Sequence, residues 1–173
     1  MKTVLLVRHA KSSWDDPLLA DFDRPLAARG RGAAPRIARY MRDKGLIPDL
    51  VVCSAARRAQ ETWELMAPVL GADIAVDARP ELHHASPNRM LDALRRAPPD
   101  DASTALLIGH SPGIEALALG LCGAGSKQSA FDQMCAKFPT AALAVIGFEA
   151  ERWSDIGEGQ GALKRFVRPR DLD

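Results

Sequence analysis

Histidine and arginine residues follow three separate hydrophobic runs in this chain of 173 residues. The polar residues at the ends of these runs are Arg8 and His9, then Ser54, Arg57 and Arg58, and finally His110. A phosphoryl group needs several fixed N–H donors, and the guanidinium fork of arginine suits it. A neutral histidine ring is nucleophilic near pH 7 and can accept a phosphoryl group that water later removes. The set therefore indicates phosphoryl chemistry, in which one histidine attacks and the other donates a hydrogen bond.

The choice between the two adjacent arginines follows from helical geometry. A stripe of apolar residues at helical spacing runs from Ala59 to Leu70 and defines the buried direction of a predicted helix. At roughly 100° per residue, Arg58 flanks this stripe, whereas Arg57 points nearly away from it. We therefore assign the phosphate contact to Arg58 and predict that Arg57 is solvated. Two arginines in a first helical turn also oppose the helix dipole, and a bound anion would reverse that penalty.

A second helix start lies directly after His110. Ser111 and Pro112 give an N-cap candidate followed by proline at the first helical position, and Ser86-Pro87 repeats the signal. The N–H groups of a helix that begins after His110 would lie near the same pocket and favour an anion.

The elements that must position these residues alternate along the chain. Continuous apolar runs, typical of strands covered on both faces, occur at 3–7, 50–53 and 105–108. Helical stripes end at Gly45 and Gly71, where C-caps are expected. After a loop near Gly123 to Ser129, further strands are predicted at 141–148, 153–156 and 163–167. The alternation predicts one α/β domain over residues 1–173, a three-layer α/β/α arrangement with a mostly parallel sheet and ligands at the carboxyl ends of its strands.

Composition excludes several classes of function. The balance of 23 Lys plus Arg against 22 Asp plus Glu gives no global basic field, so neither nucleic acid nor membrane is expected as a partner. Cys53, Cys122 and Cys135 are odd in number and widely spaced, which argues against disulfides and zinc. The four histidines are not spaced as local metal ligands either. The apolar run at 4–7 is too short for a signal peptide and no stretch has the length of a membrane span, so we expect a cytoplasmic protein.

Three motifs of this chain occur together in a known family. They are Arg8-His9-Ala10, Arg58-Ala59-Gln60-Glu61-Thr62 and Gly109-His110-Ser111-Pro112. In this order they resemble the histidine phosphatase superfamily, the phosphoglycerate-mutase-like proteins, and the short length is similar to its small SixA-type phosphohistidine phosphatases. Two further segments also resemble the family, Asp23-Arg24-Pro25-Leu26 with Gly30 and Phe138-Pro139-Thr140. The resemblance implies the phosphoglycerate-mutase-like fold and no metal or organic cofactor. It also implies a nucleophile and three phosphate ligands, which are His9 and then Arg8, Arg58 and His110.

Three positions depart from the family pattern. Ala10 replaces the glycine that is common in the first motif. Asp15 stands near an asparagine that contacts phosphate in the mutases, and we assign it no ligand role because a carboxylate would repel the anion. The larger enzymes carry a glutamate that protonates the leaving oxygen at a position that here holds His84 or His83. Glu81 is a further candidate donor, and a loop pair without a chemical role is an equal alternative for the two histidines.

The missing carboxylic acid indicates the class of substrate. Imidazole leaves readily from a phosphohistidine whose ring is protonated, whereas an alkoxide needs a proton donor. We therefore predict an enzyme that hydrolyses phosphohistidine on a protein through a covalent intermediate on His9, with His84 as a further substrate contact. The alternatives are a small-metabolite or broad-specificity phosphomonoesterase of the same superfamily, whose partner is a small phosphate ester, and a non-catalytic phosphate-recognition module. A mutase is disfavoured because the chain offers few residues for a lid beyond the loop Gly123 to Pro139.

Overall fold

A six-stranded sheet forms the centre of the computed structural model, which describes residues 1–71 and 73–173. The strands are β1 (Lys2–Arg8), β2 (Leu50–Ser54), β3 (Ala75–Arg79), β4 (Thr104–Gly109), β5 (Leu143–Phe148) and β6 (Ala162–Val167). Their order is β3-β2-β4-β1-β5-β6. The first four strands of that order are parallel, while β5 is antiparallel to both β1 and β6. The sheet is therefore mixed, and β6 runs in the same direction as β1.

Helices cover both faces of the sheet. They are α1 (Ala28–Asp43), α2 (Arg57–Leu70), α3 (Pro87–Arg96), α4 (Gly113–Leu121) and α5 (Gln128–Ala136). α1 and α2 pack on the face that carries Leu5 and Val7, and α3 and α4 pack on the face that carries Val4 and Leu6. This three-layer α/β/α arrangement confirms the predicted fold class. Within the described residues, no helix is both long and apolar enough to cross a membrane.

The apolar runs of the sequence form the central strands, as predicted. All four residues from Val4 to Val7 are fully buried because successive side chains enter the two opposite cores. The predicted helix ends are also confirmed. Gly45 and Gly71 follow α1 and α2, each with a φ of 69°, which is the left-handed conformation that glycine adopts most readily. At the start of α3, the Ser86 hydroxyl accepts the N–H of Arg89 at 3.3 Å.

The chain after β4 differs from the prediction in three places. Residues 153–156 do not form a strand: Trp153–Asp155 is a short 3₁₀-helix, held because the buried Trp153 indole donates to the carbonyl of Ala102 at 3.0 Å. The predicted loop from Gly123 to Pro139 contains α5, which packs Met134 into the core. Ser111 is not an N-cap, because α4 begins at Gly113 with Pro112 in the cap position.

A close backbone contact explains Gly30. A Cβ atom at this buried position of α1 would collide with the backbone of Lys11, two residues beyond His9. We expect Gly30→Ala to lower the free energy of unfolding by about 1–3 kcal/mol, the usual range for overpacking, as measured by chemical denaturation. Gly32→Ala is the matched control, because this position on the same helix faces open space and alanine favours the helix. Equal stability of the two variants would contradict this account.

Candidate active site

The carboxyl ends of three neighbouring parallel strands bring the predicted residues together. His9 follows β1 and His110 follows β4, and their ring centroids lie 5.0 Å apart. The pairing of Arg8 with Gly109 sets this proximity, and the His9 N–H donates to the Gly109 carbonyl at 3.0 Å. Ser54, the last residue of β2, contacts the same pocket through His110. The edge of the sheet that the strand pattern indicates is therefore the edge at which these side chains meet.

The imidazole of His9 is held with one ring nitrogen ready to attack. His9 is buried, and its Nδ1 lies 2.7 Å from the carbonyl oxygen of Ala10. A carbonyl can only accept, so Nδ1 carries the proton and Nε2 keeps its lone pair. Burial lowers the pKa of His9 to about 4, and the charges of Arg58, Arg8 and Arg24 add to this effect, while the bond to Ala10 opposes it. The neutral, nucleophilic ring therefore predominates at physiological pH.

The lowered pKa of His9 is directly measurable. We expect the His9 ring to titrate with a midpoint near 4 in an NMR titration, well below the value of 6.5 for a free histidine. The sign follows from burial and from the neighbouring cations, which all disfavour the protonated ring. Removing one cation by Arg58→Ala should move the midpoint upward. A midpoint at or above 6 in the unmodified protein would show that the ring is neither desolvated nor close to the arginines.

His110 is positioned as a donor to an anion. Its Nε2 lies 2.7 Å from the Ser54 hydroxyl, and burial, followed by the charges of His9 and Arg58, lowers its pKa well below the usual range. The Ser54 hydroxyl accepts the Ala56 N–H and can therefore donate to His110 Nε2, and in that arrangement the proton of the neutral ring lies on Nδ1. That nitrogen is buried and, within the described chain, has no hydrogen-bond partner; Arg8 Nε and the Ser111 hydroxyl share this condition. Buried polar atoms without partners are costly, so each of these three atoms is a candidate donor to a bound oxyanion.

Arg8 is tied to the segment that precedes β5. Its Nη1 donates to the carbonyl of Phe138 at 2.9 Å, and Ala141 returns N–H bonds to the carbonyls of Arg8 and His9. Burial lowers the pKa of Arg8, although arginine stays charged at any physiological pH. This pairing gives a structural reason for the family resemblance of the Phe138-Pro139-Thr140 segment.

Ala10 fits the position usually held by glycine. Among the described non-glycine residues, positive φ angles occur at His84 and Ala141 and not at Ala10, so no left-handed conformation is required there. The Thr62 hydroxyl accepts the Ala10 N–H at 3.0 Å and donates to the Arg58 carbonyl at 2.7 Å. The first motif is therefore anchored to the second through one side chain.

The two adjacent arginines of α2 point in different directions, as the helical geometry predicts. The side chain of Arg58 is 5% exposed and lies in the pocket, while Arg57 is 54% exposed and pairs with Glu61 at 3.4 Å. Arg58 already donates to Asp21, from Nη1 to the backbone oxygen at 2.6 Å and from Nη2 to Oδ2 at 3.0 Å. The phosphate contact of Arg58 stays a prediction, made with its remaining N–H groups.

Asp21 is a site residue that the sequence did not reveal. Its carboxylate accepts from Arg58, from Arg24 at 2.8 Å and from His83 Nε2 at 2.8 Å, and His84 Nε2 lies 3.2 Å away. Burial alone would raise the pKa of Asp21, but the hydrogen bonds from His83, Arg24 and Arg58 hold it well below its usual range. The carboxylate is therefore ionised at physiological pH and does not act as a proton donor there. The Asp21–Arg24 spacing of three residues, directly beside the family-like segment, was the only available signal.

The three candidates for the proton donor, His83, His84 and Glu81, lie in different surroundings. His83 stacks on His84 with centroids 3.9 Å apart and lies 5.3 Å from the ring of His110, so all four histidines of the chain converge. His84 is 63% exposed and, with His110, lines a cavity of about 320 Å³. Glu81 lies 4.0 Å from Arg79, and its side chain is 49% exposed. Asp15 is also exposed, and its backbone N–H donates to the Ser13 hydroxyl at 3.1 Å.

One set of side chains has the separation expected of metal ligands. Ligand atoms of Asp21, His83 and His84 all lie within 4.8 Å of one another, although 62 residues separate Asp21 from His83 in sequence. Both oxygens of Asp21 are, however, already hydrogen-bonded to the guanidinium groups of Arg24 and Arg58. A cation at this point would displace these bonds and be repelled by two fixed positive charges. The surroundings favour an anion.

Comparisons with known proteins agree with this geometry. The model of the histidine phosphatase superfamily (branch 1) matches residues 4–86. An uncharacterized protein of Mycobacterium tuberculosis is 34% identical over 165 residues, which are 95% of this chain and 100% of that protein. SixA of Nakamurella multipartitia, named as a phosphohistidine phosphatase, has a TM-score of 0.83 at 28% identity, over 97% of this chain and 96% of that one. SixA of Agrobacterium tumefaciens has a TM-score of 0.79 at 27% identity, over 97% and 98%. The chain therefore belongs to the histidine phosphatase superfamily, within its SixA-type branch, and is a hydrolase of phosphoryl groups.

Proposed function

We propose that the protein hydrolyses phosphohistidine on another protein, through a phosphoryl group carried for a time on Nε2 of His9. The observation that carries this proposal is the hydrogen bond from His9 Nδ1 to the Ala10 carbonyl, which leaves Nε2 unprotonated and facing a pocket of cations. Related structures named as phosphohistidine phosphatases support the substrate class.

Transfer of the phosphoryl group from a substrate phosphohistidine to His9 needs no additional proton donor. The substrate ring is protonated on the nitrogen that does not bear phosphorus. As the His9 Nε2–P bond forms, the substrate N–P bond breaks and its electron pair returns to that ring, which departs neutral. His9, with its proton retained on Nδ1, becomes the protonated phosphohistidine. Arg8, Arg58 and His110 donate to the phosphoryl oxygens throughout.

Hydrolysis of the intermediate also leaves the His9 proton on Nδ1. Water attacks phosphorus, the Nε2–P bond breaks, and His9 returns to the neutral form with its proton still on Nδ1. Both protons of the water leave with the phosphate as dihydrogen phosphate. The bond to Ala10 thus holds His9 in the correct tautomer in both steps.

Hydrolysis of an alkyl phosphate, in contrast, requires a proton donor in the site. Its alkoxide needs a proton, and the site carboxylate Asp21 is ionised because it accepts from His83, Arg24 and Arg58. Glu81 is half exposed, and its carboxylate lies beside the Arg79 guanidinium. His83 and His84 are the remaining candidate donors, and the Nε2–H of His83 already donates a hydrogen bond to Asp21. We therefore infer a preference for substrates whose leaving group is a good one.

A comparison of three substrates tests this proposal. We expect kcat/KM for a phosphohistidine peptide to exceed that for phosphoglycerate by at least about 10²-fold, the lower limit of what a missing general acid costs. An aryl phosphate, whose leaving group is weakly basic, should fall between them. Comparable turnover of phosphoglycerate would instead identify a metabolite phosphatase, and absence of turnover with all three would favour a recognition module.

A further inference from the structure

A second, strongly basic cavity lies beside the candidate active site. It has a volume of about 470 Å³ and lies between α1, the segment before β5 and the residues after β6. Its cationic lining residues, here called the basic pocket, are Lys11, Arg29, Arg36, Lys137, Arg168 and Arg170. The acidic residue that lines it is Asp173, which pairs with Arg36. None of these residues takes part in the phosphoryl chemistry described above.

Sheet topology places the basic pocket on the same face of the protein as His9. β6 runs parallel to β1, so residues 168–173 emerge at the edge where β1 delivers His9. β5 is antiparallel to β1, so residues 137–140 enter at that edge as well. Two strand spacings separate β6 from β1, which is roughly 10 Å. The pocket lies on the side of β1 away from β4, and therefore on the side of His9 opposite to His110.

The charges of the basic pocket are largely uncompensated. In the described part of the chain, Arg168 pairs with Asp171, while Lys11, Arg29, Lys137 and Arg170 form no ion pair. The whole chain carries a net charge of only +1, so this positive charge is a local concentration. The first turn of α1 also contains no acidic residue to match the helix dipole. An anionic ligand would relieve the repulsion among these groups.

The segment that leads to Asp21 exposes two large apolar side chains. Trp14 is 72% exposed and Leu18 is 93% exposed. The Arg24 guanidinium lies 3.2 Å from the Trp14 ring centroid, which ties this surface to the Asp21 cluster. Aromatic residues and arginines are enriched at protein interfaces. Cations in the basic pocket, together with exposed apolar groups on the segment that leads to Asp21, suit a macromolecular partner better than a small anion, which would occupy the pocket alone.

We propose that the basic pocket docks an acidic segment of the protein substrate while its phosphohistidine occupies the site at His9. The identity of that substrate rests on the function proposed above, whereas the docking of acidic protein rests on the pocket itself. The separation of roughly 10 Å corresponds to about three residues of extended chain, so the segment lies close to the phosphohistidine on the surface of the partner.

Binding of labelled peptides tests the docking site without any turnover. The probes are a peptide with a histidine and a run of glutamates, and the same peptide with glutamines, measured by fluorescence anisotropy with vanadate present to occupy the site at His9. We expect the glutamate peptide to bind at least about tenfold more tightly at low salt. The double variant Arg29→Glu/Arg170→Glu should remove that difference. Gly32→Leu, which fills open space next to the pocket on α1, should weaken binding without changing charge.

The controls make each result decisive. Arg39→Glu makes the same charge reversal as each member of the double variant, at an exposed position of α1 outside the basic pocket, and should bind the peptide within about twofold of the unmodified protein. Thermal melting followed by circular dichroism verifies that each variant is folded. Equal binding of the two peptides, or equal loss in Arg39→Glu, would overturn the proposal. Tight binding of tripolyphosphate with no binding of the glutamate peptide would assign the pocket to a small polyanion instead. If the glutamate peptide binds but no phosphohistidine is hydrolysed, the function proposed above fails and the docking site stands.

Discussion

Replacement of His9 by alanine is expected to lower kcat for an aryl phosphate by about 10⁴-fold or more, because the variant has no atom that can accept the phosphoryl group. The neighbouring histidine cannot substitute. The Nε2 atom of His110 is occupied by its hydrogen bond with the Ser54 hydroxyl at 2.7 Å, and its Nδ1 atom is buried. Steady-state kinetics at neutral pH, with a second measurement under single-turnover conditions, checks the expectation.

Anion binding separates the loss of a nucleophile from the loss of a pocket. Arg8, Arg58 and His110 remain in the His9→Ala variant, so inorganic phosphate should still bind, within about tenfold of the original affinity in a calorimetric titration. A variant that keeps turnover within tenfold would refute the covalent mechanism. A variant that loses both phosphate binding and thermal stability would show instead that His9 is needed for the pocket to form.

Replacement of Arg58 by alanine should lower kcat/KM by about 10²–10³-fold, the effect of removing one preorganised donor from a developing negative charge. The buried guanidinium also holds Asp21, which would lose one hydrogen bond to its backbone carbonyl and one to its carboxylate, and that carboxylate would remain close to the incoming phosphate. Arg58→Lys should recover only a small part of the loss, because an ammonium cannot donate to Asp21 and to the anion in one fixed plane.

The adjacent arginine provides the matched control for this prediction. Arg57 stands in the same helical turn and carries the same charge, but it is exposed and pairs with Glu61. Arg57→Ala should therefore change kcat/KM by less than about threefold, the scale of a surface ion pair. Equal losses in Arg57→Ala and Arg58→Ala would mean that overall charge, and not directed hydrogen bonding, holds the phosphoryl group.

The helices and central strands could be predicted because their signals are local. Continuous apolar runs suffice to identify β1, β2 and β4, and a helical stripe closed by Gly71 identifies α2. β3 escaped prediction because it is a largely exposed edge strand without such a run. α5 escaped because it buries only Met134 along its length, which leaves no clear periodicity. The pattern of apolar residues therefore does not predict an element that buries few of its side chains.

The sequence by itself determined the chemistry of the site, since three strand ends with arginine or histidine can meet only at one edge of a parallel sheet. It also determined the direction of Arg58, because the period of a helix needs no tertiary information. Only the tertiary structure decided what lies between those strand ends. The ionised Asp21, the convergence of His83 and His84 on His110, and the tautomer of His9 all depend on contacts at distances of a few ångströms. The basic pocket belongs to the same class, because its cations come from four separate segments that only the packing of α1 against the end of β6 brings together.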